Sequence, residues 1–107
     1  MILEFQGKTP KIDPTAFVAE NAMVIGDVEI GPGANIWFQS VVRGDTNSVI
    51  IGPNCNVQDA CVLHVVKDRY PVILEEGVVL GHPNRLVYLY VRLKVCVELP
   101  GTRDGLK

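Results

Sequence analysis

The chain leaves almost no room for a helix. Seven prolines and ten glycines fall within its 107 residues, and no uninterrupted amphipathic stretch of about 12 residues occurs before Tyr88. A helical bundle is thereby excluded, and a β protein remains. No run approaches the roughly 18 apolar residues that a membrane helix requires. The opening "MILEFQGKTPK" lacks the basic flank, long apolar stretch and small-residue cleavage site of a signal peptide; no membrane partner is expected, and the expected location is the cytoplasm. Basic residues are not in excess: 10 Lys and Arg stand against 12 Asp and Glu, for a formal charge of −2. Scattered as they are, they leave no electrostatic footprint for nucleic acid or anionic lipid. Cysteine is scarce and odd in number. Cys55, Cys61 and Cys96 lack the paired spacing of a zinc ribbon or redox motif and read as small buried hydrophobes in a reducing compartment. With 48% hydrophobic and 21% charged residues, the composition is that of one globular domain over residues 1–107.

What the chain does have is a repeat of six. Val18, Val24, Ile30, Ile36 and Val42 are all aliphatic and branched, and two places before each stand Ala16, Ala22, Val28, Ala34 and Ser40, nearly all small. After an interruption at "TNSV" the rows resume, with Ile51, Val57 and Leu63 at the aliphatic position and Cys55 and Cys61 at the small one. They return once more with Leu74 and Leu80, spaced by Val78.

A period of six has a specific physical meaning. If each hexad makes one short strand and a turn, three hexads close a triangular coil; residues six apart then point into one prism, and those eighteen apart stack. The aliphatic residue fills the interior, and the small one leaves the corner room to bend. Gly26, Gly31, Gly44, Gly52 and Gly81 are expected to supply backbone freedom there. The alternative, a β-sandwich of short strands, would alternate with period two. The expectation is an all-β parallel β-helix of three to four coils over residues 12–82, with an atypical segment at 83–107.

The polar residues now have places. "SVVRGDTNSVIIGPNCNVQDACVLH" sets Arg43 and Asp45 one turn before Asn56, Gln58, Asp59 and His64, all outside the aliphatic row. In this order "RGD", "NVQDACVLH", a "YP" loop and "VVLGH" make the stretch from about Thr15 to His82 resemble the γ-class carbonic anhydrases. That resemblance implies a left-handed coil, a homotrimer, and a zinc or other divalent transition metal held between subunits by three histidines. His64 corresponds to the first ligand and His82 to the one contributed across the interface. The third ligand is expected five residues on, in H-x4-H, where this chain has Val87. Arg43 and Asp45 correspond to a salt-bridging pair at the trimer interface, and Gln58 to a residue that hydrogen-bonds the metal-bound water, with Asn56 and Asp59 in the same polar network. A proton-shuttling glutamate found just after "RGD" in some members is replaced by Thr46.

Three ligands matter to the chemistry implied. A catalytic zinc keeps a fourth position for water, whose pKa falls from about 15.7 to about 7. Valine ligates nothing. The function expected is metal-dependent hydration of carbon dioxide or a related small electrophile, impaired at the Val87 position; a non-catalytic trimeric scaffold is the alternative. A coenzyme-A-dependent acyltransferase ranks last, because the motifs around the histidines do not suit it. Each histidine also has a bland reading, as an ordinary hydrogen-bonded surface side chain, and "RGD" as an adhesion motif is a coincidence of letters.

From Leu86 the hexad positions would be Arg92 and Glu98, charges that cannot fill an interior. "LVYLYVRLKVCVELP" instead alternates, which predicts a long half-buried strand outside the repeat.

Overall fold

The computed structural model describes residues 1–65, 71–81 and the backbone of 86–88. Its strands are β1 (Ile2–Leu3), β2 (Lys11–Ile12), β3 (Phe17–Val18), β4 (Met23–Ile30), β5 (Asn35–Ile36), β6 (Val41–Ile51), β7 (Asn56–Val57), β8 (Val62–His64), β9 (Val72–Leu74), β10 (Val79–Leu80) and β11 (Leu86–Tyr88). Among the described residues there is no helix, and these strands pair only in parallel. One sheet runs β1-β4-β6-β8-β11, with β2 on β4 and β9 on β6; the other runs β10-β7-β5-β3.

The long strands each serve two sides of a triangular coil. Val41–Arg43 of β6 pairs with β8, whereas Val49–Ile51 pairs with β9. The third side is the second sheet. The result is a parallel β-solenoid of about four turns, the all-β coil that the period of six predicts.

Burial follows the two rows. Val24, Ile30, Ile36, Val42, Ile51, Val57, Leu63, Leu74 and Leu80 are all at most 3% exposed, and Ala22, Ala34, Ser40, Cys55 and Cys61 are fully enclosed. Fully burying each large aliphatic side chain contributes about 1.5–3 kcal/mol, so the stacked rows carry the fold. Ala16 and Val18 are only partly buried, because β3 is the last strand of its sheet.

The stacking interval of three hexads holds for the first coil and then lengthens. Val18 pairs with Ile36, and Val24 with Val42. Ile36 in turn pairs with Val57 and Val42 with Leu63, each half a hexad later than a strict repeat would give. The interval from Val57 to its partner Leu80 is longer again. The extra residues are accommodated between the sides: β6 carries four residues between Gly44 and Val49, where β4 carries one between Gly26 and Val28. Insertions there leave the interior columns in register, so coils of unequal length still stack.

The corner glycines act differently from the expectation. Of Gly26, Gly31, Gly44, Gly52 and Gly81, only Gly26 has a positive φ, +80°. Gly44 and Gly52 are needed because backbone passes over them: an added Cβ would lie 2.3 Å from Asp27 O and 2.8 Å from Leu74 O, respectively. Left-handed positions fall instead at Gly33, Gly77, Gln39, Asn54 and Ala60.

Ser40 is the buried polar residue among the described ones. Its hydroxyl donates to Gln58 O at 2.7 Å and accepts from Cys61 N–H at 3.3 Å, tying two coils together. Ser40→Ala leaves those groups short of a partner and is expected to cost about 1–3 kcal/mol in urea denaturation. An unchanged midpoint would show that the hydroxyl contributes nothing.

Candidate functional site

Three of the expected site residues meet on one side of the coil. Arg43 of β6 and His64 of β8 are register partners on neighbouring rungs, and Arg43 Nη2 lies 2.6 Å from His64 Nε2. Arg43 Nε lies 3.1 Å from Asp45 Oδ2, and Asp45 Oδ1 accepts the Thr46 N–H at 2.6 Å. A guanidinium has only donors, so Nε2 of His64 accepts in this contact. The Arg43–Asp45 pair is thus formed within one chain. With its side chains 44% and 19% exposed, the pair is worth about 0–1 kcal/mol as an ion pair, so its value lies in positioning.

The remaining candidates lie on the neighbouring side. Asn56 and Gln58 flank the interior Val57 at β7, and Asp59 stands exposed at the corner that leads to β8. Gln58 Oε1 lies near Gly81: a Cβ there would sit 3.8 Å away. Asn56 Oδ1 is buried with no hydrogen-bond donor among the described residues. His82 and Cys96 lie outside the described residues, as does the strand expected from Leu86 except for its first three residues, β11, which pair in parallel with β8.

The thiols behave as core. Cys55 Sγ donates to Glu75 O at 3.1 Å and Cys61 Sγ to Gly81 O at 3.2 Å, and burial pushes the Cys55 thiol up from its ordinary value. Both serve the corner rather than a metal.

Sequence reasoning passed over two features. Trp37, one residue beyond the interior Ile36, packs in tilted ring contacts with Phe17 and Phe38, centroids 5.0 and 6.0 Å away; a period of six carries no signal for aromatics. The Arg43–His64 contact was hidden by the coil length, since the pair lies half a hexad further apart than the three hexads of a strict repeat. The "TNSV" interruption is the signal that could have found it.

A recess of about 150 Å³ beside Asp45 is lined also by Phe5, Gln6, Lys8, Asp27, Thr46 and Asn47. Another recess, about 420 Å³, runs along Lys11, Glu29 and Ile50 and holds none of the expected site residues. Chemistry, not volume, therefore locates the site.

No family model matches the chain. A carbonic anhydrase of Geobacillus kaustophilus is 44% identical over 99 residues, covering 92% of this chain and 54% of that protein. A mitochondrial γ carbonic anhydrase 3 of Arabidopsis thaliana is 42% identical over 80 residues, 70% of this chain and 31% of that one. The chain belongs to the γ-carbonic-anhydrase-like family of hexapeptide-repeat proteins. It spans about half, or less, of the length of these relatives. A solved hexapeptide transferase family protein of Anaplasma phagocytophilum shares its coil, with a TM-score of 0.75 and 36% identity over 81% of this chain and 49% of that one.

Against the family's metal chemistry the described donors fall short. No group of three His, Cys, Asp or Glu side chains is gathered among the described residues. The imidazole described there has Nε2 turned to an arginine, and the buried thiols point at carbonyl groups. The described donors alone, one imidazole turned to an arginine and two thiols turned to carbonyls, do not make up a three-imidazole zinc site.

Proposed function

We propose that the chain is a γ-carbonic-anhydrase-like protein whose metal site is one ligand short, so that hydration of carbon dioxide or a related small electrophile is impaired. His64 and His82 are the ligand positions in this reading, Gln58, Asn56 and Asp59 their polar surroundings, and Val87 the failed position. The observation that supports it is the register of Val87, which pairs with Leu63, a residue of the interior column, and not with His64. The copies assemble as a homotrimer in this reading, as a coil with exposed outer faces and an open parallel edge would favour. The non-catalytic scaffold is the same assembly with no metal at all.

Zinc content per chain, measured on the purified protein together with its mass in sedimentation, tests the reading. Zinc well below one per chain in a particle of three chains is expected. Stoichiometric zinc would overturn the incomplete site, and a stable monomer would overturn any site shared between copies.

A further inference from the structure

We propose that Arg43 closes the metal-facing nitrogen of His64, so that this chain holds the imidazole as a hydrogen-bond acceptor and not as an open ligand. The inference rests on the reading of His64 as a ligand position, and adds the group that competes for it.

The geometry is specific. Arg43 lies on the rung next to His64 and in register with it, which places the two side chains about 4.8 Å apart at their roots. The guanidinium is held at both ends: Nη2–H donates to His64 Nε2 at 2.6 Å, while Nε–H donates to Asp45 Oδ2 at 3.1 Å. A neutral imidazole offers a single in-plane lone pair at its accepting nitrogen. Arg43 and a metal ion cannot share it, and their like charges oppose each other at that distance. The carboxylate supports this pose, because it holds Nε–H of the same rigid guanidinium plane whose Nη2 reaches the ring. The four residues between Gly44 and Val49 that lengthen this coil contain Asp45, so the segment that interrupts the repeat also supplies the anchor.

The tautomer reports this directly. The chain has two histidines, so nitrogen-15 imidazole spectra contain two ring systems, and His64→Gln assigns them. In chelator-treated wild type at mildly alkaline pH, His64 is expected to show a bare Nε2 and a protonated Nδ1. In Arg43→Met the proton should move toward Nε2, and Asp45→Asn should fall between. Cobalt(II) titrated into the same samples should bind Arg43→Met about tenfold or more tightly than wild type, the scale of a lost charge-assisted competitor. A protonated Nε2 in the wild type, or spectra and cobalt affinity that ignore Arg43→Met, would overturn the proposal. The two readings fail separately. Full zinc in the isolated protein with an acceptor Nε2 after chelation removes the impaired site but keeps Arg43 as competitor; zinc-poor protein with a protonated Nε2 does the reverse.

Discussion

Gly44→Ala is expected to be among the most damaging single substitutions in the chain, costing about 2–4 kcal/mol, at and somewhat above the usual range for overpacking. Gly44 and Gly26 are register partners where β4 and β6 pass between sides, and at both the obstacle is backbone. A Cβ on Gly44 would sit 2.3 Å from Asp27 O and 2.9 Å from Asp27 C, and one on Gly26 would sit 2.3 Å from Gly44 O. No rotamer relieves such a contact, so neighbouring rungs must part, and overpacking of this kind costs about 1–3 kcal/mol and occasionally more. Gly26→Ala adds the left-handed penalty of about 1–2 kcal/mol, because its φ is +80°. Total stabilities of about 5–15 kcal/mol make this a large fraction. The consequence reaches the site, because Gly44 stands between Arg43 and Asp45, and prising the rungs apart separates Arg43 from His64. Gly77→Ala is the control: its φ is +76° but a Cβ there would meet nothing within 4 Å, so it carries conformational strain alone. Urea denaturation with unchanged slopes measures the three. If Gly44→Ala costs no more than Gly77→Ala, close stacking is not what these glycines provide.

The interior was legible because a coil that closes on itself demands the same thing at every side. Val24, Ile36 and Leu63 face one enclosed space, and nothing but a medium-sized apolar group fits there, so the sequence shows the row plainly. The corners face solvent and tolerate variety. Gln39, Asn54 and Ala60 take left-handed turns without any residue type that announces them, although Asn at such a position has a mechanism in its short polar side chain. Glycine misled for the same reason: it marks close passage of backbone at Gly44 and Gly52, and the left-handed turn at Gly26, yet all look alike in a string of letters. At the site, the ligand motifs named His64 and Arg43 separately, but their contact depends on the added residues of the second coil and so belongs to the register. Asn56, expected in the polar network, has a buried oxygen with no donor among the described residues, which no pattern foretells.

Register also decides where a third imidazole would have to stand. Counting H-x4-H along the chain gives position 87, and that count assumes the coil arrives at β11 with its side in the usual phase. The pairing shows a different phase. Val57 pairs with Leu80. Leu63, a single hexad beyond Val57, pairs with Val87, which lies a hexad and one further position beyond Leu80, and His64 accordingly pairs with Tyr88. The pairing offset is thus one residue larger at β11 than at β10. By register the counted position aligns with Leu63 of the interior column, and Tyr88 aligns with His64. Tyr88→His is therefore expected to raise cobalt(II) or zinc affinity by more than the roughly 10- to 100-fold that a ligand's hydrogen-bonding partners carry. Val87→His should leave metal affinity where it was and cost about 1–3 kcal/mol, since its register partner Leu63 is buried and an imidazole carried into such a column gives up its water. Titration of both variants beside the parent, each with a urea midpoint, separates these outcomes. A gain at 87 with none at 88 would mean that the chain enters β11 in the family's own phase, and that the missing ligand is a matter of one residue's identity instead of a slipped coil.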